Sequence, residues 1–165
     1  MYEDGKNYHI EKEWEHCGLK CVAIAVPIGH RCGYVGVDNN HPCFSRHSDD
    51  TGTNFDVHGG ITYTGMPYEW ERHDNIWWIG FDCAHSGDGK DFSIMNDENR
   101  KFYRGTSYPA MLKFGEIRTL DFVVVECNKL AEQLADMLPK EKPLYNIESN
   151  DIPMYLIRLA NLEID

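Results

Sequence analysis

The sequence predicts an α+β fold: a twisted antiparallel sheet packed on one face by a single long helix in the C-terminal half. Short β-rich runs punctuated by Gly and Pro occupy the first half of the chain. Apolar residues then recur at helical spacing between Leu120 and Leu138. The 165 residues, 42% hydrophobic and 26% charged, are enough for one buried core, so residues 1–165 are read as one domain.

The first zone, residues 1–38, starts polar and becomes a hairpin. Its strands are Cys21–Val26 and Cys32–Val37, joined by a turn at Pro27–Arg31. Residues 39–104 are loop-rich and polar, interrupted by two further strand-like runs, Val57–Thr64 and Ile76–Cys83. The helix follows. Leu120, Val123, Val124, Cys127, Leu130, Ala131, Leu134 and Leu138 form an i, i+3, i+4, i+7 stripe, with Asp121, Asn128, Lys129, Glu132 and Asp136 outside it. Thr119 is its expected N-cap and Pro139 its stop. Beyond Pro139 the prolines suggest an extended strap, and Met154–Leu162 reads as a short apolar element, helix favoured over strand.

Charge narrows the function. Sixteen basic against twenty-seven acidic residues give a net charge of −11, which argues against direct nucleic-acid binding, where a basic stripe is required. No apolar run approaches the ~18 residues of a membrane span, so no membrane role is expected. Residues 1–15 are charged and lack the apolar core of a secretory signal. Six cysteines are too few for a disulfide scaffold, so reduced thiols in a cytoplasm are expected. Oligomeric state is not legible from these features.

Polar chemistry gathers in the middle of the chain. His30, His41, His47, His58, His73 and His85 share one window with Cys32, Cys43 and Cys83 and with Asp49, Asp50, Asp56, Asp82 and Asp88. That density of N, S and O ligands suits a metal or an acid–base site, although no spacing matches a zinc knuckle or H-E-x-x-H. Polar residues on a solvated surface are the plain alternative.

Strand register sharpens the choice. If Val57–Thr64 and Ile76–Cys83 form a hairpin with Thr64 opposite Ile76, then Gly60 opposes Gly80 and His58 opposes Asp82. His58, Gly60, Thr62, Trp78, Gly80 and Asp82 then share a polar face, and Val57, Ile61, Tyr63, Trp77, Ile79, Phe81 and Cys83 share a core face. Paired glycines leave a slot that a ligand can enter. A carboxylate beside an imidazole fixes its tautomer, as general bases and metal ligands require. An exposed cross-strand ion pair is the competing reading.

The segment Cys83-Ala-His85-Ser-Gly-Asp88-Gly-Lys90 leaves this strand as a Gly-punctuated loop. It lacks P-loop spacing and reads first as a turn. Cys83 falls on the core face, where a buried, inert thiol is expected rather than a nucleophile.

Three segments, Gly29–Val35 (GHRCGYV), Asp56–Tyr63 (DVHGGITY) and Trp77–Asp88 (WWIGFDCAHSGD), together with the Glu126–Leu134 helix, resemble a group of small uncharacterised proteins of phages and prophages. The resemblance spans Gly29 to Leu138 and implies expression inside an infected bacterium, with no established activity to carry over. The Asn39–Asn54 stretch departs from the pattern by its polarity.

Two functions follow as expectations. The first is a phage-type accessory protein whose His/Asp-lined, glycine-floored site binds or hydrolyses a small anionic, nucleotide-like ligand, with a divalent metal as the cofactor such a site would use. His58, Asp82 and His85 would then be catalytic, His58 as base and Asp82 as its orienter. His85 and Asp88 would ligate the metal, and Gly60, Trp78, Gly80, Arg31 and Arg104 would line the ligand. The alternative is a non-enzymatic acidic inhibitor that binds a host anti-phage defence protein through its negative field.

Overall fold

A computed structural model of the protein describes residues 7–47, 55–66, 75–105 and 115–139. The expected strap after Pro139 and the Met154–Leu162 element lie outside these residues.

The fold is α+β, as expected. Five antiparallel strands form one sheet: β1 (His9–His16), β2 (Leu19–Val26), β3 (His30–Val37), β4 (Tyr63–Gly65) and β5 (Trp77–Asp82), in the order β1-β2-β3-β5-β4. A two-residue parallel ladder joins β6 (Asp88–Gly89) to β7 (Glu116–Ile117). Helix α1 spans Asp97–Gly105, and the long helix α2 spans Leu120–Asp136.

The hairpin of β2 and β3 forms over the two β-rich runs that flank the Pro27–Arg31 turn, with Val26 opposite His30 and Cys21 opposite Val35. Its turn closes through the Gly29 amide donating to the Val26 carbonyl at 3.0 Å. Ahead of it lies β1, which the polar opening of the chain concealed. It reaches β2 through Cys17 and Gly18, both at positive φ, the backbone of a tight two-residue hairpin loop.

Helix α2 starts at the expected cap: the Thr119 hydroxyl accepts from the Phe122 amide, and Thr119 itself is extended. Val123, Cys127, Leu130, Ala131 and Leu134 are buried against Cys21, Ala23, Val35, Val37, Ile79, Phe81 and Cys83 of the sheet. Burying each such aliphatic side chain stabilises the fold by ~1.5–3 kcal/mol, which makes this face the main core. Gly33 lets the helix come close, since a Cβ there would meet the Cys127 sulfur. At the far end the buried His41 accepts the Cys43 amide on Nδ1, and its Nε2–H donates to the Leu134 carbonyl at 2.9 Å. That bond gives a second donor to a last-turn carbonyl that also accepts the Met137 amide at 3.1 Å.

The other face departs from the expectation. Trp78, Gly80 and Asp82 do lie opposite Trp77, Ile79, Phe81 and Cys83, but they do not floor an open slot. Trp78 is fully buried with Val22, Ile24, Cys32 and Tyr34 in a second, smaller apolar cluster. A Cβ on Gly80 would collide with the Tyr34 ring, so that glycine makes room for an aromatic side chain and not for a ligand.

The strand expected over Val57–Thr64 is also corrected. Only Tyr63–Gly65 joins the ladder, with Tyr63 opposite Gly80 and Thr64 opposite Ile79. This odd-numbered slip from the expected register turns Tyr63 onto the Trp78 face, where it stacks edge-on against Tyr34. Gly59 and Gly60 are the cause: both adopt positive φ, 68° and 82°, which ends extended pairing before it reaches His58. Val57 and Phe55 are instead buried in the main core.

Candidate functional site

Because residues 55–62 leave the ladder, His58 does not sit opposite Asp82. It approaches the loop after β5 instead. The segment is tied to α2 twice. Gln133 accepts the Asp56 amide at 2.8 Å and donates back to the Asp56 carbonyl at 3.0 Å. Glu126, 7% exposed, accepts the His58 backbone amide at 2.7 Å while its other oxygen accepts from Lys129. A buried glutamate is costly unless both oxygens are engaged, and here they are. The backbone carrying His58 is therefore fixed by the helix.

The opposite wall is the Cys83–Asp88 loop. It begins at Cys83, whose amide donates to the Arg31 carbonyl, and makes an Asx turn in which Asp82 accepts the Ala84 amide at 3.0 Å. His85 lies over Gly59 so closely that a Cβ at position 59 would overlap the imidazole. The glycine that floors the site is thus Gly59; Gly60 meets nothing in its vicinity.

Asp88 is the hub. Its side chain is 2% exposed. One oxygen accepts from His58 Nε2 at 2.8 Å and from the His85 amide at 2.9 Å, while the other accepts from Arg118 Nε at 2.8 Å. Burial by itself pushes the carboxyl up, but the hydrogen bonds from His58, Arg118 and the His85 amide outweigh it and hold Asp88 below its ordinary value. The β6–β7 ladder brings Arg118 here by pairing Asp88 with Glu116, and Arg118 also bonds Glu116 at 2.7 Å and covers the Phe122 ring. The His58 ring stands edge-on to both Phe122 and His85, with centroids 5.3 Å apart in each case.

His58, His85 and Asp88 each offer one ligand atom within 4.8 Å of the others. The measured spacings bracket what a metal needs. His58 Nε2 and Asp88 Oδ2 are 2.8 Å apart, and His85 Nδ1 and the same oxygen are 3.7 Å apart. Ligand atoms on a tetrahedral zinc with bonds of ~2.0–2.1 Å are separated by ~3.3 Å. His85 Nδ1 is itself buried and has no hydrogen-bond partner among the described residues. Asp82 lies 3.9 Å from this nitrogen with its side chain 30% exposed. The set resembles catalytic metal sites, in which three protein ligands leave one position open.

The remaining expected residues divide. His58, His85 and Asp88 come together, and Asp82 joins them beside His85. Trp78 is buried in the second apolar cluster and Gly80 is buried against the Tyr34 ring. Arg31 is no anion contact: it is buried, grips Glu11 through two bonds at 2.6 and 3.0 Å, bonds Asp91 at 2.9 Å, and donates to the Arg118 carbonyl at 3.1 Å. It is a strut behind Arg118. Arg104 is exposed in the last turn of α1. His41 and Cys43 serve the helix end and His47 is exposed. His73, Asp49 and Asp50 lie outside the described residues.

Sequence reasoning missed Gly59, Arg118 and Glu126. The Gly59-Gly60 pair was the one available sign, since two adjacent glycines mark a turn more often than a strand.

Compared with known proteins, the chain matches no family model, no curated protein and no solved structure. The geometry alone therefore carries the functional reading. Among the described residues no helix is long and apolar enough to cross a membrane.

Proposed function

We propose that the protein is a metal-dependent hydrolase of a small anionic ligand, with His58, His85 and Asp88 as the divalent-metal ligands. The observation that carries this is the convergence of two imidazoles on one buried carboxylate, with His85 Nδ1 buried and not hydrogen-bonded among the described residues. A bound divalent ion would supply Lewis acidity and a water activated at neutral pH. Arg118, Glu126 and the Phe122 ring orient the ligand side chains, the supporting role that outer partners play around metal sites. Asp82, beside His85 and partly exposed, would accept the proton of that water. In the hydrolytic step a water oxygen would bond to the electrophilic centre as the scissile bond breaks, and the proton that Asp82 takes from the water would pass to the leaving oxygen. His58 becomes a metal ligand in this reading and not the general base. The reading of the chain as an acidic inhibitor of a host defence protein rests on its net charge alone.

The test is calorimetric titration of Zn²⁺ and Mn²⁺ into the metal-stripped protein, with elemental analysis of the protein as purified. Wild type should take up one ion per chain with micromolar affinity or better. His85→Ala, which leaves the His58–Asp88–Arg118 bonds in place, should lose that uptake. Wild-type protein that binds neither ion would sink the proposal.

A further inference from the structure

Holding Asp88 uses only part of the Arg118 guanidinium. Nε donates to Asp88 Oδ1 at 2.8 Å and Nη1 donates to Glu116 Oε2 at 2.7 Å. The Phe122 ring covers the plane, its centroid 4.8 Å from Cζ, and the Arg118 carbonyl accepts from Arg31 at 3.1 Å. A planar group anchored at these points has the direction of its third nitrogen fixed as well. Nη2 makes no hydrogen bond among the described residues. Nor is it one of the buried polar atoms left without a partner, so solvent reaches it, in a side chain 19% exposed. One of its N–H bonds runs parallel to Nε–H, as in every guanidinium fork, and so points to the side on which Asp88 lies. Asp88 in turn gives Oδ2 to the two imidazoles and Oδ1 to Arg118. A single carboxylate therefore separates the metal position from the guanidinium. An ion bonded to Oδ2 at ~2.0–2.1 Å would lie within about 7 Å of Nε. An oxyanion with one oxygen on the ion and another accepting an N–H at ~2.9 Å spans that range.

Resting on the metal reading above, we infer that Arg118, through Nη2, is the residue that recognises the substrate of this centre, and that the substrate carries an oxyanion shared between Arg118 and the ion. Charge-assisted bonds from a preorganised guanidinium are the strong contacts for such groups. The same geometry sets an order of binding. Without an ion, Arg118 stands between two carboxylates, Asp88 and Glu116, that outnumber it, so an anion gains little by approaching. A divalent ion on Asp88 Oδ2 offsets that carboxylate and leaves the guanidinium charge for the substrate. Oxyanion binding therefore follows the metal.

The experiment is equilibrium dialysis of radiolabelled inorganic phosphate, as the oxyanion probe, against the full chain with and without saturating Mn²⁺. Wild type should retain phosphate only when loaded with Mn²⁺. Arg118→Lys keeps a cation for Asp88 but has no third nitrogen, and should weaken phosphate by about tenfold or more at saturating Mn²⁺. Glu116→Gln, at a position 73% exposed, frees Nη1 as a further donor and should tighten phosphate by about threefold. Wild type that takes up Mn²⁺ but no phosphate, or that holds phosphate equally well without Mn²⁺, would overturn the subsite while leaving the metal centre standing. Wild-type phosphate affinity in Arg118→Lys does the same. Should Arg118→Lys fail to fold or to take up Mn²⁺, Glu116→Gln decides, and no gain in phosphate affinity there counts against Arg118. Absence of Mn²⁺ uptake by wild type overturns the metal centre itself, and this subsite with it.

Discussion

Burial and the adjacent Lys90 ammonium together push the His30 imidazole from its ordinary 6.5 down to about 4, with Asp82 and Asp88 pulling weakly the other way. The folded chain therefore keeps His30 neutral where the unfolded chain has already bound a proton. Its contribution to stability is complete above pH 6.5 and is lost as pH falls from there toward 4. Thermal melts across that window should show wild type losing stability faster than His30→Gln, whose amide cannot be protonated. Equal slopes would mean that His30 is as solvated folded as unfolded. Gly59 carries the other constraint at this scale. Its φ of 68° and the imidazole above it exclude any other residue without displacing His85.

Helix α2 holds the His58 segment through Glu126 and Gln133, neither of them part of its apolar stripe. Glu126 is buried among core residues and closes on the His58 amide, so helix position and loop position are one variable. Glu126→Gln retains an acceptor for that amide and should fold and bind metal close to wild type. Glu126→Ala removes it and should weaken Zn²⁺ by ~10–100-fold, as loss of an orienting partner does, measured by competition with a chelating dye. The helix itself was legible because its stripe follows the 3.6-residue period and Thr119 marks its start. The β2–β3 hairpin was legible from two β-rich runs around a turn that carries Pro27 and Gly29. Strand β1 was not, because Glu11, Lys12, Glu13 and Glu15 read as a solvated segment, whereas they line the outer edge of a sheet. The site was half legible: His58, His85 and Asp88 stood out by ligand type. Their true grouping depended on a strand ending early at Gly59, and Arg118 reaches Asp88 across 30 residues that no local pattern spans.

At the scale of the molecule, the cysteines report the packing. Five of the six are buried and only Cys17, in the β1–β2 turn, is exposed. Desolvation pushes Cys21, Cys32 and Cys83 up to about 12, so their thiolates are scarce at neutral pH. Alkylation of the native protein followed by mass spectrometry should label Cys17 rapidly and the other five only after denaturation. Rapid labelling of Cys83 or Cys127 would show that the layer between sheet and helix opens. The sheet also has an outer edge at β1, and there the ladder skips a residue: Ile10 pairs with Ile24 and Lys12 with Ala23, leaving Glu11 as a bulge. That extra residue is the one that turns toward Arg31. It breaks the regular row of amides and carbonyls on which a sixth strand from another molecule would nucleate. Deleting Glu11 would smooth this edge into a template for stacking and, in the same stroke, leave the buried Arg31 guanidinium with Asp91 as its one remaining carboxylate among the described residues. The irregular outer edge of the sheet and one of the two carboxylates that hold Arg31 behind Arg118 thus come from the same residue.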